Sequence, residues 1–108
     1  MAGVIAEQQL VAWRPSGARV DVVAAIGRPY LVGPDEWACP AALTGLYEKL
    51  HDVHGASSLQ SLCLAASLLR QLLTSFVEDG GGRLTHLDGG PFDVAASFSR
   101  VGAIGETP

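Results

Sequence analysis

The stretch Ser57-Ser58-Leu59-Gln60-Ser61-Leu62-Cys63-Leu64-Ala65-Ala66-Ser67-Leu68-Leu69-Arg70-Gln71-Leu72-Leu73-Thr74-Ser75-Phe76-Val77 decides the fold of this chain. It opens as a capping box. Ser57 can accept from the amide three residues on, and the Gln60 side chain can reach back to the cap amide. Helical spacing then holds to Val77, and Gly80-Gly81-Gly82 supplies a stop tolerant of left-handed backbone. About 21 residues at 1.5 Å each give a rod of roughly 31 Å, long enough to cross a four-stranded sheet.

Gln60, Ser67, Gln71, Thr74 and Glu78 cluster on one narrow face of this rod. Leu59, Leu62, Cys63, Ala66, Leu69, Leu73, Phe76 and Val77 are expected to form its core face. Leu64 and Leu68, with Leu72, extend the apolar arc beyond the stripe of about 100° that a helix needs to lie on one sheet. Something must cover that surplus: the C-terminal segment, a second protomer or a partner.

Working outward from the helix, the N-terminal side alternates with period two. Val4 to Trp13 reads as a strand, Arg14-Pro15-Ser16-Gly17 as a turn, and Arg19 to Ile26 as a second strand with Val20, Val22, Ala24 and Ile26 on one face. Gly27 to Asp35, punctuated by glycine and proline, reads as a loop. A third strand is expected from Glu36 to about Thr44, with Pro40 marking an edge or bulge, and a fourth near Tyr47 to Val53. Trp13, Trp37 and Phe76 suit the sheet–helix interface. Beyond the helix, Arg83 to Leu87 is a short strand, residues 91–104 are a final strand or a strap over the helix, and 105–108 fray. The expected fold is therefore α+β: an antiparallel sheet of four to six strands with one long helix packed across one face. The 108 residues form a single domain with its compact core over about residues 4–90.

Three segments resemble a family of short bacterial domains of unknown function: Ile26-Gly27-Arg28-Pro29-Tyr30, Trp37-Ala38-Cys39-Pro40, and His54-Gly55 leading into Ser57-Ser58-Leu59-Gln60-Ser61-Leu62. The family carries Ile-Gly-x-Pro and Trp-x-Cys-Pro segments, then His-Gly before a Ser-Leu-Gln helix start and a glycine-rich helix end. The likeness runs over residues 4–90. It implies a single compact α+β domain, and it implies no reaction and transfers no catalytic residue.

Charge and composition narrow the function. The chain carries 48% hydrophobic and 17% charged residues, enough apolar content to fold around a core and to rule out disorder for its bulk. Its net charge is −4, and the six arginines and the single Lys49 are scattered, which argues against a surface that tracks phosphates. Residues 1–10 lack the apolar run of a signal peptide, and Gln60, Arg70 and Gln71 interrupt the segment from Leu59 to Val77, which excludes a membrane span. A cytoplasmic location is expected. Cys39 and Cys63 lack paired spacing and read as two reduced core thiols.

No motif for a cofactor is present. Gly80-Gly81-Gly82 and Gly89-Gly90 lack the strand-before, helix-after context of a phosphate loop. His51-Asp52-Val53-His54 is the one cluster suggestive of metal chemistry, with Cys39 a further candidate ligand, yet a second ligand pair is missing. On a strand, His51 and His54 would point to opposite faces. Ser57 and Ser58 near His54 are explained by capping. Tyr30, Leu31 and Val32 form an apolar trio in the Gly/Pro-bounded loop and, with Leu64 and Leu68, are the candidate partner-binding residues. The expected function is a non-catalytic protein-interaction domain, in its sharpest version an immunity-type or inhibitor protein that binds and blocks a toxin or enzyme. The competing expectation is a small metal protein or enzyme centred on His51 and His54.

Overall fold

A computed structural model of the chain describes residues 3–98. The strands are β1 (Val4–Trp13), β2 (Arg19–Gly27), β3 (Tyr30–Gly33), β4 (Glu36–Cys39), β5 (Ala41–Thr44), β6 (Val53–Gly55) and β7 (Arg83–Thr85). The helices are α1 (Ser58–Glu78) and α2 (Val94–Phe98). The class is α+β with the long helix as expected, and every strand pair is antiparallel. The strands divide, however, into a four-stranded sheet ordered β5-β2-β1-β7 and a three-stranded sheet ordered β3-β4-β6.

Pro40 is where the expected third strand breaks in two. It has no N–H to offer a ladder, and its carbonyl instead accepts from the Gly27 amide at 2.9 Å. The chain thus leaves the small sheet at Cys39 and enters the large one at Ala41. The Gly27–Asp35 loop is also replaced by structure. Tyr30–Gly33 is a strand, turned into β4 through Pro34 and Asp35, which takes a φ of 56°. Proline followed by a short polar residue at positive φ suits such a turn. The expected strand near Tyr47–Val53 shrinks to a single Leu43–Tyr47 bridge, and β6 begins only at Val53.

The β1–β2 hairpin forms where alternation placed it. Arg14 donates to Ala18 and Gly17 to Arg14 across the turn, and Leu10 opposes Val22 while Ala12 opposes Val20. Leu10, Ala12, Val22, Ala24, Leu43 and Leu84 present the core face of the large sheet. Trp13 lies on the opposite face rather than at the helix interface, because it alternates with Ala12. There its ring is flanked by the guanidinium groups of Arg19 and Arg83, and its indole N–H donates to Thr85 Oγ1 at 3.0 Å.

The single helix serves both sheets. It packs on β4 and β6 of the small sheet, with Gly55 against its first turn, and on β5, β2 and β7 of the large one. Ser57 caps it by accepting from the Gln60 amide at 3.0 Å, and the Gln60 side chain reaches back one residue further than a capping box predicts, to the Ala56 amide. Its buried stripe is Ser61, Ala65, Leu69 and Leu73, flanked by Leu62, Leu72 and Phe76. This differs from the expected core face. Leu59 is 68% exposed, and Cys63 and Val77 also face outward. The cause is close approach at the N-terminal half. A Cβ on Gly55 would stand 2.7 Å from the Ser61 amide nitrogen, so the helix can sit this low only with small residues beneath it. Ser61 and Ala65 occupy that line of contact, and the bulkier Leu59 and Cys63 rotate away. The Ser61 hydroxyl is satisfied by donating to the Ser58 carbonyl at 2.9 Å.

Residues after β7 turn back at Asp88-Gly89-Gly90, and Phe92 donates its amide to Leu84. Where a strand or strap was expected over 91–104, a short helix α2 forms, and Val94 and Phe98 pack on the core. Its start faces Arg70, Thr74, Val77 and Glu78 across an open cleft, so the described part of the tail lies along the C-terminal half of α1 while Val77 and Leu64 stay exposed. The rest of the expected strap, and the end expected to fray, lie outside the described residues.

Candidate partner-binding site

The small sheet carries the best-defined surface feature. β3 is an edge strand, and its Tyr30, Leu31 and Val32 are 45%, 61% and 49% exposed. The trio expected on a loop is therefore fixed on a strand, with Tyr30 opposite Ala38 and Leu31 opposite Trp37. Alternation sends Tyr30 to one face of the sheet and Leu31 to the other.

On the face away from α1, Tyr30, Ala38 and His54 form one cross-strand row. Ala38 is buried between its two ring-bearing neighbours. The Tyr30 hydroxyl donates to the Asp52 carboxylate, and His54 Nδ1 lies 2.7 Å from Glu36 Oε2. Beside this row opens a cleft of about 570 Å³ whose polar wall includes Arg28, Tyr30, Tyr47, Glu48, Lys49 and Asp52. Among the described residues the one arginine or lysine ion pair is Arg19–Asp21, and in this cleft the cations Arg28 and Lys49 share the lining with the carboxylates of Glu48 and Asp52.

Hydrogen bonding to Asp52 holds the Tyr30 phenol above the usual tyrosine value of 10.0, helped by desolvation and by the nearby carboxylate charge. The neutral phenol is the form that donates, so this contribution to stability is complete below the ordinary tyrosine pKa and is lost as pH rises through the elevated folded value. An ultraviolet titration of the two tyrosines should show Tyr30 ionising at higher pH in the wild type than in Asp52→Asn. Coincident curves would disprove the bond.

The other candidates fall in separate places. Leu64 is 43% exposed and Leu68 half-buried on α1, a different element from the trio. Cys39 and His54 lie on neighbouring strands but on opposite faces, since Ala38 and not Cys39 opposes His54. The Cys39 thiol is buried and donates to the Gly27 carbonyl at 3.4 Å. Burial, with a smaller push from Asp52, raises its pKa. His51 is exposed outside the strands. Among the described residues no group of three or more His, Cys, Asp or Glu is placed to hold a metal ion. Of the two thiols read as core residues, only Cys39 is one.

Sequence reasoning missed Asp52 and Glu36 as partners of Tyr30 and His54. These pairs are 22 and 18 positions apart, and only the pairing of three short strands brings them together, so no local spacing announces them. Among the described residues, no helix is long and apolar enough to cross a membrane. Comparison with curated proteins and with solved structures gave no match. A family model, described as "Domain of unknown function (DUF6968)", matches residues 6–95. With that match extending from β1 through the start of α2, the chain belongs to the DUF6968 family.

Proposed function

We propose that this chain is a non-catalytic protein-binding domain of immunity or inhibitor type, a small acidic bacterial cytoplasmic protein that binds and blocks a toxin or enzyme. The observation that carries the reading is the edge strand β3, with three consecutive large apolar residues exposed to water. An edge strand offers unpaired backbone donors and acceptors that an extended partner segment can complete, and alternate side chains then supply selectivity. Here Leu31 is the apolar anchor on the α1 side. Tyr30 is the amphipathic anchor on the other, held in one orientation by Asp52. A side chain immobilised before binding costs less entropy on association.

The test is co-expression with the protein encoded beside it, followed by calorimetry and by an assay of that protein's activity. A stoichiometric complex that suppresses the activity is expected, and Leu31→Asp should weaken it at least about tenfold, equal to 1.4 kcal/mol. Absence of a complex, or one indifferent to Leu31→Asp and Val32→Glu alike, would sink the reading.

A further inference from the structure

A second open edge belongs to the large sheet. β2 pairs with β1 along its length, but β7 reaches it only at Val11, Ala12 and Trp13. Residues Val4 to Gln9 are all exposed. The direction of their backbone groups follows from the hairpin. The Arg14 amide bonds to Ala18, and residues on antiparallel strands alternate between facing one neighbour and the other. Even-numbered positions from Arg14 back to Gln8 therefore face β2. Trp13, Val11, Gln9 and Glu7 face the opposite side, where β7 serves only the first two. Consistent with this, the Gln9 carbonyl accepts from the side-chain amide of Gln8 at 3.0 Å. Glu7 is left with its main-chain N–H and C=O, and Gln9 with its N–H, aimed along an open edge, while the Gln9 carbonyl is held only by its neighbour's side chain.

We propose that this edge is a self-association surface, on which a second copy of the chain adds its own β1 antiparallel about a two-fold axis at Gln8. The sequence is self-complementary in this register. Glu7 of each copy then opposes Gln9 of the other, so each carboxylate meets a side-chain amide, and two backbone hydrogen bonds form between the pairs, rising to four where the exposed Gln8 side chains release the Gln9 carbonyls. An axis at Glu7 would instead set two carboxylates face to face. The ends fit as well. β1 shifts register between Val4 and Ala6, the point at which the added strand reaches the place β7 fills in the second copy, so the regular ladder stops before the two strands meet. At that point lies a recess of about 510 Å³ lined by Gln8, Gln9, His86, Leu87 and Asp88. In this register Ile5 would fall opposite Val11 of the second copy, which Thr85 already pairs, so the added ladder ends at Ala6 and Ile5, 50% exposed, leaves it beside the recess that Leu87, 59% exposed, lines. Each is an apolar side chain open to solvent in a single copy. Two four-stranded sheets would join into one, an isologous interface of the kind that closes with two copies.

Light scattering on the full chain across a concentration series into the millimolar range is expected to reach twice 11.2 kDa. The amides of Glu7 and Gln9 should exchange more slowly as the protein is concentrated. Gln8→Lys places two ammonium groups opposite each other at the axis and should raise the dissociation constant severalfold, whereas Gln8→Ala keeps the dimer. Leu31→Asp, in the other sheet, should leave the dimer intact, which separates this interface from the partner site. A monomer at every concentration would overturn the proposal. So would a dimer unaffected by both Gln8→Lys and Gln9→Pro with Glu7 and Gln9 exchanging freely.

Discussion

Leu69→Ala is expected to cost about 2–5 kcal/mol of folding stability, a large share of the about 5–15 kcal/mol that a domain commonly possesses. Leu69 is 1% exposed, lies near Ala24 and Ile26 of β2, and has Phe98 of α2 beside it. Truncation removes its transfer free energy and opens a cavity between two layers, which sheet and helix can only partly close. Leu59→Ala is the matched control. Periodicity puts both leucines on one apolar arc, but Leu59 is 68% exposed, and its loss should change stability by no more than about 0.5 kcal/mol. Urea denaturation of both variants checks the rotation of α1 about its axis, and equal losses would show that the helix presents a different face.

The second large effect is expected at Gly55. Its added Cβ would stand 2.7 Å from the Ser61 nitrogen and 3.0 Å from the Ser61 Cα. Both are backbone atoms of the first helical turn, so no side-chain rotation can relieve the contact. Gly55→Ala should therefore cost at least about 1–3 kcal/mol, the range of overpacking in a close-packed interior. The damage should concentrate where α1 rests on β4 and β6, the same sheet that holds β3. Affinity for the proposed partner should fall along with stability, although Gly55 lies on the far edge strand from Leu31. Circular dichroism melts and calorimetry read the two effects. A variant as stable as the wild type would mean that the helix does not sit this low.

The elements that could be read from the sequence are those whose signals are local. The Ser57–Gln60 cap, the glycine stop, the Arg14–Gly17 turn and the shared face of Val20, Val22, Ala24 and Ile26 each depend on neighbours within a few positions, and each is present. The division into two sheets was not legible, because Pro40 announces a break in a strand without saying that the next residues belong to another layer. The rotation of α1 was misjudged for a related reason. Hydrophobicity favoured Leu59 and Cys63 as core, whereas the seat on Gly55 selects small side chains, and smallness carries little weight in an apolar pattern. Within the candidate site, Tyr30, Leu31 and Val32 were recognisable as an unusual apolar trio among glycines and prolines. Asp52 was visible only as a member of a histidine cluster, and its bond to Tyr30 depends on a fold-level juxtaposition.

The chain's two tryptophans stand one in each sheet, Trp13 in β1 and Trp37 in β4. Each layer thus carries its own fluorophore. In single-tryptophan versions, emission would report the two layers independently, and the rod laid across both should make their denaturation traces superimpose. Loosening that rod at its first turn should pull the Trp37 trace to lower denaturant while the Trp13 trace holds, turning a question about cooperativity into a comparison of two colourless solutions in a fluorimeter.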